Sequence, residues 1–492
     1  MDYCKIKIIV NPFKFPLKLR PVFYIYLAFT ILVMATAGFP FFWDTIQLAS
    51  KHAGFFYDNN FSSIILPNEI DSGHIPTLGI YIASIWKIFG RSLFVSHIAM
   101  LPFVLGIVWQ SIKLVRKYIP EKWHFPALII LLLDPTLLAQ CTLVSPDVLL
   151  VFFFLIALNN ISGGKRISYS VGLAGLALSS TRGMMCVAGL FFAEFIIKLN
   201  NDRTLINVRS ILNIVFSNLV RYLPALMIAG LFLGWHYHKT GWIGYHREMP
   251  WYPLFETVGF KGVVRNTLIL GWRLIDFGRL FIWITALTCL WHYLRQKPSL
   301  PGSTVSLAIT FVAVVFALAH AVILHRNLSG HRYLLPVYIT FTILVLQYLY
   351  NITGENFPRK FFTWLMIVGL LSGNFWIYPD RIAKGWDSTL AYIPYFPLRA
   401  KMMAYIENEG IELKETGSSF PNTGIIDRMD LSGNMESIAE ADLLTTKYIF
   451  YSNVFNNFTD EELVVLRDKW QKIKEFRFMQ VKVILYKNPY EN

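Results

Sequence analysis

The sequence predicts an all-α polytopic membrane protein of about eleven spans, followed by a small C-terminal α/β domain. Hydrophobic residues make up 55% of the 492 residues, and the mean hydropathy is +0.46. Apolar runs recur along the chain as far as residue 378, after which the composition becomes charged and polar. The net charge of +14 is spread over short basic stretches between the apolar runs, which is the pattern of the positive-inside rule. No basic stripe with interleaved aromatic residues is present, so nucleic-acid binding is not expected.

The first span, residues 21–39, follows a basic N-terminal tail, which predicts a cytoplasmic N-terminus. Its end at Ala35-Thr36-Ala37 resembles a signal-peptide cleavage site, but the aromatic continuation favours a permanent span. Residues 75–89 are too few to cross a hydrocarbon core, which takes roughly seventeen, so they predict a juxtamembrane helix at the outer face. The other spans are predicted at 93–113, 125–140, 147–161, 167–180, 183–199, 217–235, 278–294, 304–324, 333–351 and 361–378, with a long outer loop before 278.

These boundaries divide the chain into a transmembrane domain, residues 1–378, and an extracytoplasmic α/β domain, residues 379–492. The second domain has strand-like runs at 447–451, 472–479 and 481–486. Thr459-Asp460-Glu461-Glu462 has the pattern of a capping box and predicts the start of a helix. The four cysteines of the chain form no disulfide framework and no CxxC metal motif.

Ionisable residues gather at the predicted outer ends of the spans. A carboxylate at a membrane mouth is costly to hold there and is a functional candidate by default. Carboxylate, histidine and arginine together suit the removal of a proton from an acceptor hydroxyl or amine while cations hold a phosphate leaving group. The candidates are Asp44, Asp71, His74, Asp147, Arg182, His331, Arg332 and Tyr333.

Each candidate also has a structural interpretation. Asp44 would cap a juxtamembrane helix or pair with an arginine. Asp147, directly after Pro146, suits a helix N-terminus, where a negative charge is favoured. Arg182 would extend to lipid headgroups, and His331 with Arg332 would anchor the start of a late span. The histidines of residues 236–246 lack the spacing of metal ligands, so no metal site is assigned, although a divalent metal stays open.

The order of these features resembles the GT-C membrane glycosyltransferases, within which the chain is most similar to the protein O-mannosyltransferase and aminoarabinose transferase branch. The resemblance covers roughly residues 20–350. It rests on an acidic residue soon after span one, a His-led segment before a juxtamembrane helix that ends Ile88-Phe89-Gly90-Arg91-Ser92, Pro146-Asp147, Ser180-Thr181-Arg182-Gly183 and Arg332-Tyr333-Leu334-Leu335-Pro336.

The resemblance implies inverting transfer of a hexosyl or pentosyl group from a polyprenyl-phosphate donor to an acceptor at the outer face of a cell inner (plasma) membrane. Asp44 matches the family's catalytic aspartate and would be the general base. His74, Arg182, His331 and Arg332 would bind the phosphate of the sugar donor, while Asp71, Asp147 and Tyr333 would support them. Thr45 stands where many members have a second acid, and His74-Ile75-Pro76-Thr77 replaces His-Pro-Pro-Leu. These departures bear on metal dependence and on the geometry at the sugar donor.

Two other classes of function stay open on the sequence. A transporter or flippase of lipid-linked sugars would share a lipid-facing cavity, but its polar groups should lie near the bilayer midplane in paired repeats. A non-catalytic scaffold of envelope assembly would use the C-terminal domain as its binding module. Convergence of Asp44, His74, Arg182 and Arg332 on one pocket would favour the enzyme. The acceptor, whether protein, lipid or glycan, does not follow from the sequence.

Overall fold

The structure, a computed structural model, describes residues 19–161, 165–201, 208–249, 251–379, 385–455 and 457–489. The basic N-terminal tail and Arg203, on which part of the predicted topology depends, lie outside these residues. The helices of the first part of the chain are α1 (Leu19–Thr36), α2 (His52–Asp58), α3 (Thr77–Phe89), α4 (Leu93–Tyr118), α5 (His124–Leu132), α6 (Pro135–Cys141), α7 (Pro146–Asn160), α8 (Arg166–Ser179), α9 (Thr181–Asn201), α10 (Val208–Thr240), α11 (Phe260–Ile275), α12 (Leu280–Gln296), α13 (Gly302–Leu324), α14 (Leu335–Asn351) and α15 (Arg359–Gly373).

The polytopic helical class is confirmed. In the described residues, five helices are long and apolar enough to cross a membrane, or seven when each of two bent helix pairs counts as one span. Shorter apolar helices, such as α7 with 15 residues, make up part of the difference from about eleven spans, because helices of fewer than about seventeen residues fall short of the hydrocarbon thickness. The chain is therefore a multi-pass membrane protein.

Two predicted segments differ from the structure. The predicted span 125–140 is broken between α5 and α6 with a bend of 67°, because Asp134 accepts hydrogen bonds from the amides of Thr136 and Leu137 and starts a new helix. The predicted outer loop before residue 278 contains α11, which bends by 92° into α12. The apolar residues of α11 follow a helical repeat among charged and polar ones, and a search for uninterrupted apolar runs misses such a helix.

Helix α3 has both of its ends at the same end of the helix bundle. Its first residue, Thr77, donates a 2.7 Å hydrogen bond to the carbonyl of Leu178, near the end of α8. Just beyond its last residue, Arg91 makes two hydrogen bonds of 2.6 and 3.0 Å to the carboxylate of Asp427 in the C-terminal region. This pairing holds the pKa of Asp427 below its usual value. The arrangement agrees with a juxtamembrane helix rather than a span.

The C-terminal region contains a six-stranded mixed sheet in the order β2-β3-β1-β4-β6-β5. Strand β1 pairs in parallel with β3 and β4, whereas the other pairings are antiparallel. The Thr459 capping box forms as predicted and starts α18. The elements are α16 (Tyr395–Asn408), β1 (Thr416–Ser418), β2 (Gly424–Ile425), α17 (Asp427–Asp430), β3 (Ser437–Glu440), β4 (Tyr448–Ser452), α18 (Asp460–Asp468), β5 (Gln471–Phe478) and β6 (Val481–Lys487).

The core of this region continues into the first outer loop of the helical part. Phe42 is buried and stacks on Tyr392, with ring centroids 4.9 Å apart. The amide of Phe41 donates a 2.7 Å hydrogen bond to the carbonyl of Met429. The side chain of Gln140, in α6, donates a 2.7 Å bond to the carbonyl of Asp387. The sheet region therefore packs directly on the turn that carries Asp44.

Candidate active site

One end of the helix bundle, predicted from the sequence to be the outer end, holds a connected group of charged side chains. Arg332 donates a hydrogen bond to the carboxylate of Asp44 and also pairs with Asp387. Its Nε lies 3.5 Å from Oδ2 of Asp147. On the other side, Nη1 of Arg182 lies 2.5 Å from Oδ1 of Asp147. Acidic and basic groups thus alternate through the site.

Tyr333 packs against both arginines of this group. Its ring centroid lies 4.3 Å from the guanidinium carbon of Arg182 and 5.0 Å from that of Arg332. The hydroxyl of Tyr333 also accepts a 3.2 Å hydrogen bond from Nη2 of Arg332. An aromatic face attracts a guanidinium, so Tyr333 holds the two cations near each other despite their mutual repulsion.

The carboxylates of the group differ in their exposure to solvent. The side chain of Asp44 is 42% exposed, whereas that of Asp147 is 2% exposed and that of Arg332 is 11% exposed. Asp44 lies within a turn closed by hydrogen bonds of 2.8 Å between Thr45 Oγ1 and the backbone of Phe42. Asp44 is therefore the carboxylate of this group that an incoming molecule reaches most readily.

Asp147 owes its place to the start of α7. Ser145 accepts a 3.1 Å hydrogen bond from the amide of Asp147, and Pro146 occupies the first turn, where its missing amide proton costs nothing. The positive end of the helix dipole favours a carboxylate at this position. Asp147 therefore has both roles: it stabilises the start of α7 and it contacts both arginines.

Arg182 stands at the second position of α9, where α8 and α9 approach closely. A Cβ atom at Gly183 would lie 1.9 Å from the carbonyl oxygen of Leu176, so any larger residue would collide with backbone. Ser180 accepts a 3.2 Å hydrogen bond from the amide of Gly183 and closes the turn. Glycine at position 183 therefore permits the sharp turn that directs Arg182 into the site.

His74 lies beside Arg182 without touching the charged group directly. Its Nδ1 is 2.8 Å from Oγ1 of Thr181, the first residue of α9. Burial lowers the pKa of His74 to about 4, and the charge of Arg182 acts in the same direction. At neutral pH this histidine is therefore uncharged and has one ring N–H to donate.

Asp71 lies apart from the group and fixes the segment before His74. One oxygen accepts a 2.8 Å bond from the amide of Gly73, and the other lies 2.9 Å from Nε2 of His236 in α10. Gly73 has a φ of +67°, and a Cβ there would lie 2.1 Å from the carbonyl oxygen of Gly244. These contacts tie the segment to the outer end of α10.

His331 also lies apart, although it is next to Arg332 in sequence. It is 1% exposed, and its Nε2 lies 2.8 Å from Oδ2 of Asp276 and 3.5 Å from Nη1 of Arg273. The two residues start the 3₁₀ turn His331–Leu334, in which successive side chains point about 120° apart. The turn therefore directs Arg332 towards Asp44 and His331 into the packed interior.

Asp387 belongs to the group but was absent from the sequence candidates. It follows the last membrane helix, in the 3₁₀ turn Trp386–Ser388 that packs on α6. A charged residue in a polar segment gives no local signal, and only the fold brings it to Arg332. A cavity of about 10 Å³, enough for about one water molecule, lies beside the group and is lined by Asp44, Asp147, Arg332 and Asp387.

In the part of the chain that the structure describes, no three histidine, cysteine, aspartate or glutamate side chains are grouped to hold a metal ion. The charged group consists of carboxylates already paired with arginines. Its chemistry is that of a base next to a double cationic clamp, which suits a phosphate ester.

No family model and no curated protein matches the chain. Among solved structures, the chain resembles ArnT from Cupriavidus metallidurans in a crystal structure bound to undecaprenyl phosphate. The TM-score is 0.51 at 10% sequence identity, over 95% of this chain and 98% of that one. The apo crystal structure of the same protein gives a TM-score of 0.49 at 10% identity, over 95% and 97% of the two chains. The first of these two comparisons shows that the chain shares the overall fold of ArnT.

Proposed function

We propose that this protein is an integral-membrane glycosyltransferase that moves a sugar from a polyprenyl-phosphate donor to an acceptor at the outer face of the membrane. The observation that carries the proposal is the hydrogen bond between Asp44, an accessible carboxylate, and Arg332, which Asp147 links to Arg182. A candidate base thus contacts one arginine and lies near a second, and arginine side chains are common ligands of phosphate groups. The similar fold of a protein crystallised with undecaprenyl phosphate supports the same class of sugar donor.

The reaction is a single displacement at the anomeric carbon. Asp44 accepts the proton of the acceptor hydroxyl or amine while that atom forms a bond to the anomeric carbon. The bond from the anomeric carbon to the phosphate oxygen breaks, and its electron pair leaves with the polyprenyl phosphate. Attack from the face opposite the phosphate inverts the anomeric configuration. Arg182 and Arg332 stabilise the negative charge that develops on the leaving phosphate.

Binding of the sugar donor would also free the base. Asp44 shares Arg332 with Asp147 and Asp387. A phosphate that engages Arg332 competes with Asp44 for the same guanidinium, because the five donors of arginine point in fixed directions. The carboxylate of Asp44 is then released from this hydrogen bond and can accept one from the acceptor.

His74 supplies a neutral hydrogen bond to the leaving phosphate. In this role Nδ1 accepts the hydrogen bond of the Thr181 hydroxyl, 2.8 Å away, and Nε2 carries the ring proton. In the described part of the chain this Nε2 has no hydrogen-bond partner. Asp71 holds the segment of His74 in place, and Tyr333 orders the two arginines. His331, buried against Asp276, would act by positioning Arg332 and not by contact with phosphate.

The proposed setting is a bacterial inner membrane with a cytoplasmic N-terminus and with the region after residue 378 as an extracytoplasmic domain. The basic stretches between spans support this orientation. The transferred sugar is a hexosyl or pentosyl group. Convergence of Asp44, Arg182 and Arg332, with His74 adjacent, favours an enzyme over a scaffold or a lipid-sugar flippase.

The test is the transfer of radiolabelled sugar from synthetic polyprenyl-phosphate donors into a membrane extract by the purified full-length protein. We expect Asp44→Asn to lower transfer by about 10²- to 10⁴-fold, the usual contribution of a general base, with unchanged membrane insertion. The matched control is Glu69→Gln, an exposed carboxylate of the same outer loop, which should keep full activity. An active Asp44→Asn protein would remove Asp44 from the role of base.

A further inference from the structure

A second cavity lies on the other side of the turn that carries Asp44. Its volume is about 560 Å³, and it separates the first outer loop from the C-terminal region. Ile46, two residues after Asp44, forms part of its wall, as do Phe55 of α2 and Ile425 of β2. Cavities of this size hold whole small ligands, whereas a single inorganic ion would fill little of it.

Two cations line this cavity, one from each side. Lys51 ends the π-helical turn Ile46–Lys51 of the outer loop, and Arg428 belongs to α17 of the C-terminal region. Both side chains are partly buried. Neither makes a hydrogen bond or an ion pair with any residue that the structure describes.

Several other buried or partly buried arginines of this chain have an acidic partner. Arg91, Arg182, Arg279 and Arg332 each pair with an aspartate. Lys51 has no ion-pair partner among the described residues, and burial followed by the charge of Arg428 lowers its pKa. Two like charges that share a partly buried cavity repel each other, and a bound anion would reduce that cost.

The remaining lining matches an anion that belongs to a larger molecule. Phe55, Ile70 and Phe420 give the cavity an apolar wall. Asp58 also lines it, but this carboxylate is exposed and forms no ion pair with Lys51 or Arg428 within the described residues. Phe420 in turn contacts Trp43, the residue before Asp44, with ring centroids 5.4 Å apart. The cavity therefore lies next to the turn that carries the candidate base.

We propose that Lys51 and Arg428 bind an anionic group of the acceptor, of the phosphate or carboxylate class, and so hold the acceptor hydroxyl or amine beside Asp44. This inference rests on the proposed function. The fork of Arg428 would take two oxygens of the anion, and the ammonium of Lys51 would neutralise the remaining charge. Each region of the chain contributes one of the two cations, so acceptor binding would require the C-terminal region to be in place.

The first experiment measures binding without any transfer reaction. Full-length protein in neutral detergent is titrated with inorganic phosphate at constant ionic strength, and thermal unfolding is followed by tryptophan fluorescence. We expect a saturable rise in the unfolding temperature, weakened about tenfold in apparent affinity by Lys51→Gln or Arg428→Gln. The matched controls are Lys469→Gln and Arg467→Gln, both exposed on or beside α18, which should respond like the wild type. An equal response in all five proteins would overturn the proposal.

The second experiment identifies the source of the anion by kinetics of transfer into the membrane extract. Both variants should raise the KM for acceptor about tenfold and leave the KM for polyprenyl-phosphate sugar unchanged. An unchanged acceptor KM, with the phosphate response lost, would assign the cavity to a bilayer headgroup and overturn the acceptor assignment. A rise in the sugar-donor KM alone would place the two cations in the donor site. Binding of phosphate by a wild type that transfers no sugar would contradict the proposed function and not the anion site.

Discussion

Arg332 donates a hydrogen bond to Asp44 across 288 residues of sequence, and it contacts Asp147 and Asp387 at the same time. One guanidinium thus joins three carboxylates from three separate segments of the chain. Removing one partner of a partly buried ion pair lowers the stability of the protein, because the other charges are left without compensation. The geometry of the candidate site and the packing of its segments therefore depend on the same side chain.

Replacing Arg332 should separate the use of the sugar donor from the use of the acceptor. We expect Arg332→Ala to raise the KM for polyprenyl-phosphate sugar much more than the KM for acceptor, because the phosphate loses a forked ligand. Arg332→Lys should restore part of the stability but little of the binding, since an ammonium lacks the fork. Steady-state kinetics with each substrate varied in turn would measure this. Arg326→Ala, an exposed arginine at the same end of the bundle, is the control, and equal effects on both KM values would indicate a structural role for Arg332.

His331 should matter for stability more than for binding. Its replacement by alanine leaves Asp276 and Arg273 buried with one partner fewer, which costs about 1–3 kcal/mol. We therefore expect a lower unfolding temperature and a sugar-donor KM changed by less than about threefold. Thermal unfolding and kinetics on the same preparation would measure both. A donor KM raised as far as in Arg332→Ala, with normal stability, would show that His331 meets the phosphate after all.

His74 should give the protein a specific loss of stability in mild acid. Its pKa falls from an ordinary value of 6.5 to about 4 in the folded protein. Between these pH values the unfolded chain binds this proton and the folded chain does not, so stability decreases as the pH falls from 6.5 towards 4. His74→Gln removes this contribution, and its unfolding temperature should fall less steeply over the same range. Parallel pH profiles for the two proteins would contradict the neutral state of His74.

Gly183 should be intolerant of even one added methyl group. The new Cβ would collide with the carbonyl of Leu176, and backbone cannot move aside cheaply. We expect Gly183→Ala to cost about 1–3 kcal/mol of stability and to reduce transfer by displacing Arg182. Gly230→Ala is the matched control, because nothing lies within 4 Å of a Cβ at that position in α10. Comparable behaviour of the two variants would argue against the close approach of α8 and α9.

Much of the fold could be predicted from the sequence, because its signals are local. Apolar length predicts the helical bundle, and strand-like runs of residues predict β4, β5 and β6 to within a residue or two. Helix α11 was not predicted, since its apolar residues are interrupted by charged ones at helical spacing. The break at Asp134 was not predicted either, because a single capping residue does not lower the hydropathy of an apolar stretch enough to end the predicted span.

The candidate site could be predicted only where a charge stands at the end of a span. Asp44, Asp147, Arg182 and Arg332 satisfy that condition, and the structure joins them. His331 satisfies it equally well, yet a 3₁₀ turn directs it to the interior, which depends on side-chain direction and not on position. Asp387 lies in a polar segment where charges are ordinary, so only tertiary contact with Arg332 distinguishes it.

Phe42 belongs to the core of the C-terminal region although it precedes Asp44 by two residues. Its stacking on Tyr392 means that the loop of the candidate base is shaped by residues encoded near the far end of the chain. A protein cut after α15 would lose both this support and the carboxylate of Asp387. The two regions therefore build the candidate site together, and a C-terminal region exchanged between relatives would bring one wall of that site with it.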